Sequence, residues 1–411
     1  MINSGDTAFV LICAALVMLM TPGLALFYGG MVRRKNILGV LIQCFSALCI
    51  LSIQWVLVGY TLSFGQGGGF FTGGFGWFGL NGVGLEPFAK YSATIPHQAF
   101  MIFQAMFAII TPALIIGAFV ERMKFSAYIL FTILWATFVY DPICHWVWGG
   151  GFLGKMGALD FAGGTVVHIS AGIAALILSI GLGRRKNFDF KKRTIPPHNL
   201  PMTVIGTALL WFGWFGFNSG SALAANGTAV NAFVTTNTAA AAAGLMWAAT
   251  EWLIHGKPTM LGMVSGAVAG LVSITPAAGF VSVVPAILIG AIASAVCFVF
   301  VTIIKPKLGY DDSLDAFGVH GVGGIVGALL TGVFASKLVN PAGADGLFFG
   351  NPVQFLIQSK AVLVTVVYST IMTIIIFKVV DLIVGMRVSE KEESLGLDLS
   401  QHRESAYTVL E

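Results

Sequence analysis

The chain has 411 residues, of which 57% are hydrophobic and only 10% charged, with a mean hydropathy of +0.88 and a formal net charge of +4. Ordinary soluble proteins carry about 25% charged residues, and a soluble fold this apolar could not cover its own surface. The composition excludes a soluble α/β enzyme and requires a bilayer as solvent.

Apolar stretches near the ~20 residues that cross a bilayer run over 8–30, 37–64, 97–119, 126–147, 161–182 and 200–219. Five more cover 231–254, 259–276, 282–304, 315–336 and 357–385. The expected fold class is an all-α integral membrane protein with eleven transmembrane helices. The first stretch lacks a basic n-region and a clear small-residue cleavage site, so it reads as a retained membrane helix and not a signal peptide. Placing the N-terminus outside puts four of the 22 Lys and Arg (Lys90, Lys155, Lys337, Lys360) on the outer side and the other 18 on the cytoplasmic side. That positive-inside bias predicts an N-out, C-in topology.

The chain also repeats itself. The fifth stretch carries Asp160 and His168, and the tenth carries Asp312 and His320 at the same eight-residue offset. The third contains Ile110-Thr111-Pro112-Ala113 and the eighth Ile274-Thr275-Pro276-Ala277. Five helices per unit is odd, so the second unit must be inverted: repeat one over about 8–182, repeat two over about 200–336, and helix eleven at 357–385 outside both. Inverted repeats place a site near the midplane, at the interface between halves. His168 lies about 10 Å into its helix at 1.5 Å per residue, and His320 lies at a similar depth from the opposite face. For the two to meet, both helices must begin recessed, with GALDFAGG and DSLDAFGV as non-helical approaches lining a vestibule.

Ionisable side chains inside hydrocarbon are costly and usually face a bundle interior or a pathway. The histidine pair could bind a metal, form a satisfied structural pair, relay protons, or line a conduit. A metal needs further ligands; His198, His255 and His402 fall on the cytoplasmic side and His97 and His145 near outer helix ends, so neither metal nor cofactor is expected. An enzyme would need a nucleophile or metal set that the spacing does not supply. The five cysteines form no CxxC and read as small buried hydrophobes. The net charge sits in short loops and speaks to topology, not to nucleic acid. Aromatic residues gather at Trp211, Phe212, Trp214, Phe215 and Phe217, at Phe100, Phe103 and Phe107, and at Tyr140, Trp146 and Trp148. An interfacial belt accounts for about half of them. Phe103 and Phe107 share a helix face, and a cluster at an outer mouth would hold a cation by its π-faces. Asp160 could be a cation ligand or an N-terminal cap of the fifth helix; the two roles can coexist, with capping favoured. Glu121 and Glu251 read as structural. Lys and Arg are absent from the middle of every stretch, against a voltage sensor or a large-anion carrier. By composition the polar segment after Gly385 is a solvated tail.

At these residues the sequence resembles the ammonium transporter (Amt) branch of the Amt/Rhesus/Mep family. The resemblance is carried by FYGGMVRRKN (27–36), GALDFAGGTVVHI (157–169), PHNLPM (197–202), WFGFNSGS (214–221), FGVHGVGGI (317–325), and GMRV followed by GLDLSQHRESAY (385–407). Trp148 and the paired phenylalanines favour this branch over the Rhesus branch. The resemblance implies a homotrimer in a prokaryotic cytoplasmic (inner) membrane, with one pore per protomer that takes up ammonium or ammonia and accepts methylammonium as an analogue. It implies a recruitment site at Phe107, Trp148 and Ser221, and a gate at Phe107 and Phe217. Beyond the gate it implies a pore and proton path at His168 and His320, with Asp160, Phe103, Tyr140, Trp214 and Thr275. Residues 1–385 would form the transmembrane domain and 386–411 a cytoplasmic regulatory tail beginning at Gly385 and Arg387, contacting other protomers and a PII-type (GlnK-like) signalling protein. An ammonium sensor signalling through a partner is the alternative; about 26 residues follow Gly385, too few for a fused signalling domain.

Overall fold

A computed structural model describes residues 1–186, 188 and 195–407. Among them there is no β-strand, only an isolated antiparallel bridge between Met123 and Arg387. Among the described residues nine helices are long and apolar enough to cross a membrane. In chain order, α1 is Ser4–Met31, α2 Arg34–Phe64, α3 His97–Phe119, α4 Phe125–Lys155 (continuous to Val147), α5 Gly164–Leu182 and α6 Leu200–Gly220. Two further long helices follow, α7 Gly227–His255 and the shorter apolar α8 Met260–Ile274. Then come α9 Val283–Leu308, α10 Phe317–Phe334 and α11 Pro352–Val384. Short helices α12, Glu390–Leu395, and α13, Leu397–His402, follow.

The bundle has two ends. At one, the Asn3 amide donates to the Thr94 carbonyl (2.8 Å), and Lys90 and Tyr91 reach the Gly149 carbonyl. The other carries the tail. Helices α5 and α10 run antiparallel: Arg185, just past the end of α5, is bound through its amide and guanidinium by Asp311, just before α10. Each starts late and in the same manner. The Asp160 carboxylate accepts the amides of Gly163, Gly164, Thr165 and Val166 at 2.6–3.1 Å. The Asp312 carboxylate accepts those of Ala316 (3.1 Å) and Phe317 (2.7 Å). These carboxylates satisfy amides that have no partner within a helix. They hold the approaches out of helical geometry, with Gly163 in the left-handed region (φ 118°).

Both helices then open with a π-helical turn that contains the histidine, Gly164–Ile169 and Phe317–Gly321. Helices α4 and α9 share a second pair of π turns, Ala136–Tyr140 and Phe300–Ile304, while α2 has one at Trp55–Gly59. Such turns are rare and concentrate at functional sites.

Two readings change. The segment after Gly385 is docked, not solvated: Glu393 and Asp398 are 1% and 3% exposed, with Asp398 Oδ1 accepting the Gly39 amide at the start of α2. Of the cysteines, Cys13, Cys44, Cys144 and Cys297 are buried, but Cys49 is exposed.

Candidate functional site

The two histidines meet because glycines let their helices cross closely. A Cβ on Gly172, four residues after His168, would lie 2.1 Å from the Gly321 nitrogen; one on Gly324, four after His320, would lie 3.1 Å from the Gly164 oxygen and His168 Cβ. Small residues at a crossing allow backbone contact between membrane helices. The rings of His168 and His320 stack with centroids 5.3 Å apart and planes 20° from parallel. The signal in the sequence for this crossing, missed by the hydropathy pattern, is a glycine four residues after each histidine.

From His168 a row of rings runs toward the end that bears Asn3. Trp214 stacks on His168 at 5.4 Å, its indole N–H donating to Thr275 Oγ1 (2.9 Å). Phe217 lies 6.1 Å from His168 and 4.3 Å from Phe107. Phe107 in turn meets Phe103 (4.9 Å) and the edge of Trp148 (5.9 Å). Phe107 and Phe217 are buried, whereas Trp148 is half-buried, so the phenylalanine pair separates an accessible indole from the histidines. Ser221, also half-buried, donates its hydroxyl to the Phe217 carbonyl (2.9 Å). Trp148 Nε1 donates to the Asp160 carbonyl (2.9 Å).

Asp160 therefore supports this row through its backbone and caps α5 with both carboxylate oxygens. Tyr140 meets Trp55 with its ring (6.3 Å), and among the described residues its buried hydroxyl has no hydrogen-bond partner. Asp141 beside it is buried and hydrogen-bonded by Gln54 (2.8 Å). Gly385 closes α11 with φ 70°, and Arg387 binds the Leu182 and Arg184 carbonyls at the tail end, so both stand apart from the row.

Polar capacity in the row is concentrated at the histidines. Both His168 ring nitrogens and His320 Nδ1 are buried without a hydrogen-bond partner. A buried polar atom left unpaired costs about 1–3 kcal/mol, so these nitrogens favour a small polar molecule beside them. The adjoining cavity, lined by His168, His320, Trp214 and Phe217 among apolar side chains, measures about 10 Å³, close to what a single water needs. It shares Phe27, Val268 and His320 with a second cavity of about 40 Å³, which shares Met31, Val301, Leu314 and Asp315 with a mouth of about 250 Å³ at the tail end. Among the described residues no group of three or more His, Cys, Asp or Glu is placed to hold a metal.

At the tail end, charges lock the helix termini. Glu121 receives Arg33, Asn36 and Arg185, and Asp311 receives Arg185 in a two-pronged contact. Burial pushes both carboxyls up, but the guanidinium of Arg185, joined by Arg33 at Glu121 and by Arg122 at Asp311, holds each below its ordinary value.

A family model described as the Ammonium Transporter Family matches residues 8–407. The chain is 57% identical over 403 residues to an ammonium transporter of Bacillus subtilis, covering 98% of each. It is 50% identical over 407 residues to the ammonium transporter Amt1 of Archaeoglobus fulgidus, covering 99% of this chain and all of that one. Among solved structures it is similar to Candida albicans Mep2, with a TM-score of 0.89 and 36% identity over 98% of this chain and 90% of the other. It is also similar to a structure described as a sensor Amt protein, with a TM-score of 0.88 and 29% identity over 97% and 98%.

Proposed function

The chain belongs to the Ammonium Transporter Family and is a multi-pass membrane protein that transports ammonium, and on that premise we propose the route of the substrate. Ammonium is recruited at Trp148, Phe107 and Ser221, loses its proton near the Phe107–Phe217 gate, and crosses as ammonia past His168 and His320. The supporting observation is the unbroken row of ring contacts from Trp148 to His320, leading into the cavities that open at the tail end.

The chemistry follows from the substrate. Ammonium and potassium are alike in size and charge, and a pore of carbonyl oxygens would conduct potassium. Aromatic faces attract either cation by about 0.5–2 kcal/mol per contact. Past the gate an unpaired ion meets an apolar wall and a severe desolvation cost. Ammonium escapes that cost by giving up a proton, as burial favours for any ammonium group; potassium has none to give. The unpaired imidazole nitrogens then offer ammonia a donor and an acceptor. Asp160 contributes through position and field at the recruitment side. The proton crosses separately, through imidazoles or water, so transport is electrogenic.

The reading extends to topology and assembly. Eleven spans, with α7 and α8 added to the nine, leave the N-terminus outside and the tail inside, as the charge bias favours. Helices α1–α5 and α6–α10 form an inverted repeat, for which the paired Asp caps, histidines and π turns speak. Three protomers assemble in the cytoplasmic membrane, each with its own pore, and a PII-type partner docks at the tail face. The likeness to the sensor Amt structure keeps signalling as a second reading, while the more similar relatives are named transporters.

The test is a current recording on purified protein in a supported membrane after an ammonium pulse, with no proton gradient imposed. We expect a transient current in the wild type and its loss, or a gain of potassium passage, in H168A and H320A. Variants that kept full transport and full exclusion of potassium would refute the role given to the histidines.

A further inference from the structure

The tail-side mouth holds a feature that the route above does not use. Asp315 lines both the 40 Å³ cavity beneath His320 and the 250 Å³ mouth. It is a non-glycine residue in the left-handed region (φ 61°), a conformation Asp tolerates better than most. Its neighbour Asp312 is committed to capping α10, and Asp311 to Arg185. The Asp315 carboxylate instead bonds the ammonium of Lys305, which also donates to the Asp312 carbonyl (3.2 Å). Lys305 reaches in from α9 and its side chain is 14% exposed. The same cavity is also lined by His320, whose Nδ1 is buried and unpartnered.

A lysine side chain ends in a primary ammonium, the nearest chemical relative of the substrate that a protein can supply. The position it takes, on a carboxylate and a carbonyl one small cavity away from the unpaired imidazole, is a position ammonium can take with the same donors. We propose that Asp315 is an inner ammonium site of the pore and that Lys305 is its built-in competitor. The inference rests on the pore reading. Because Lys305 is tethered, it is present at an effective concentration of about millimolar or above. Ammonium on the inner side must exceed that level to occupy Asp315, whereas ammonia arriving from His320 meets no such contest. The pore is thereby less open to reloading from the inside than to delivery from the outside.

The experiment uses full-length protein in inverted and right-side-out membrane vesicles, with radiolabelled methylammonium as probe and potassium chloride as the ionic-strength control. In inverted vesicles K305M is expected to lower the half-saturating tail-side concentration on the order of tenfold. K305R is expected to match the wild type, and K305M/D315N to lose the gain. In right-side-out vesicles K305M and K305R are expected to keep the wild-type half-saturation. If K305M does not reach the membrane, K305Q gives the same reading. Equal tail-side half-saturation in the wild type and the neutral Lys305 variant, or a gain that survives D315N, overturns the inner site. Wild-type vesicles without methylammonium flux in either orientation would instead overturn the pore itself.

Discussion

Asp160 shows how much one side chain can be asked to do. Its two oxygens accept four backbone amides, and its own carbonyl accepts the indole of Trp148. Replacing it with Ala leaves four buried donors, each costing about 1–3 kcal/mol unless water reaches it. Asn is no conservative change, because its NH₂ must face two amides that already donate. We expect D160A and D160N both to lower the melting temperature of the purified protein and to abolish transport. An Asn variant as stable as the wild type but without transport would mean that the charge at 160 serves transport and is not needed for capping. The chemistry-bearing residues were legible as types: imidazole in an apolar run, and aromatics four apart. Their pairing was legible from the repeated Asp-to-His offset. What each carboxylate binds was not, since capping and cation binding use the same atoms and only the approach loop decides between them.

Among the elements, α5 and α10 bring the two histidines together, and their crossing is unequal on its two sides. The Cβ of an alanine at 172 would meet backbone atoms at 2.1–2.2 Å, which cannot yield without moving a helix. At 324 the nearest atoms stand at 3.1 Å, a shift of a few tenths of an ångström away from tolerance. We expect G172A to cost about 1–3 kcal/mol or more, read as a large fall in melting temperature with loss of transport, and G324A to retain most of both. Equal behaviour of the two would contradict the crossing as described. Segment positions were largely readable from hydropathy, and the misses have causes. Helix five was marked from 161 by hydropathy and starts at Gly164, as the expected recessed approach requires: the Phe161 amide donates to the Pro276 carbonyl and the Gly163 amide to Asp160. Helix eleven was expected from 357 and starts at Pro352. Its first turns carry Gln354 and Gln358, which look like loop in a hydropathy profile but are buried, bonding the Gly157 and Leu159 backbone. Helix one gains a turn because the Asn3 side chain caps it through the Asp6 amide.

For the whole molecule, the tail end is held by buried charge and the opposite end by aromatic contact. Glu121 and Asp311 sit below their ordinary values of 4.5 and 3.8, so they contribute stability that is fully present above those values. That contribution fades as pH falls through their lower folded values, when the carboxylates take up protons and leave Arg185 unmatched. Thermal unfolding in detergent is expected to show a decline in stability below about pH 4. E121Q should be less stable at neutral pH and show a smaller decline; an unchanged pH profile would remove Glu121 from the clamp. The docked tail was not legible in composition, because Glu393 and Asp398 read as solvated charges until the Lys186 and Gly39 amides are brought to them.

The cavity beside the histidines is the smallest of the three that lead along the proposed route to the tail end. At about 10 Å³ it admits one small molecule at a time, so two molecules cannot pass each other beside the histidines. Traffic there is a queue: each traveller advances only when the one ahead has left. Inward and outward unidirectional fluxes are then no longer independent, and a crowd at one end slows arrivals from the other.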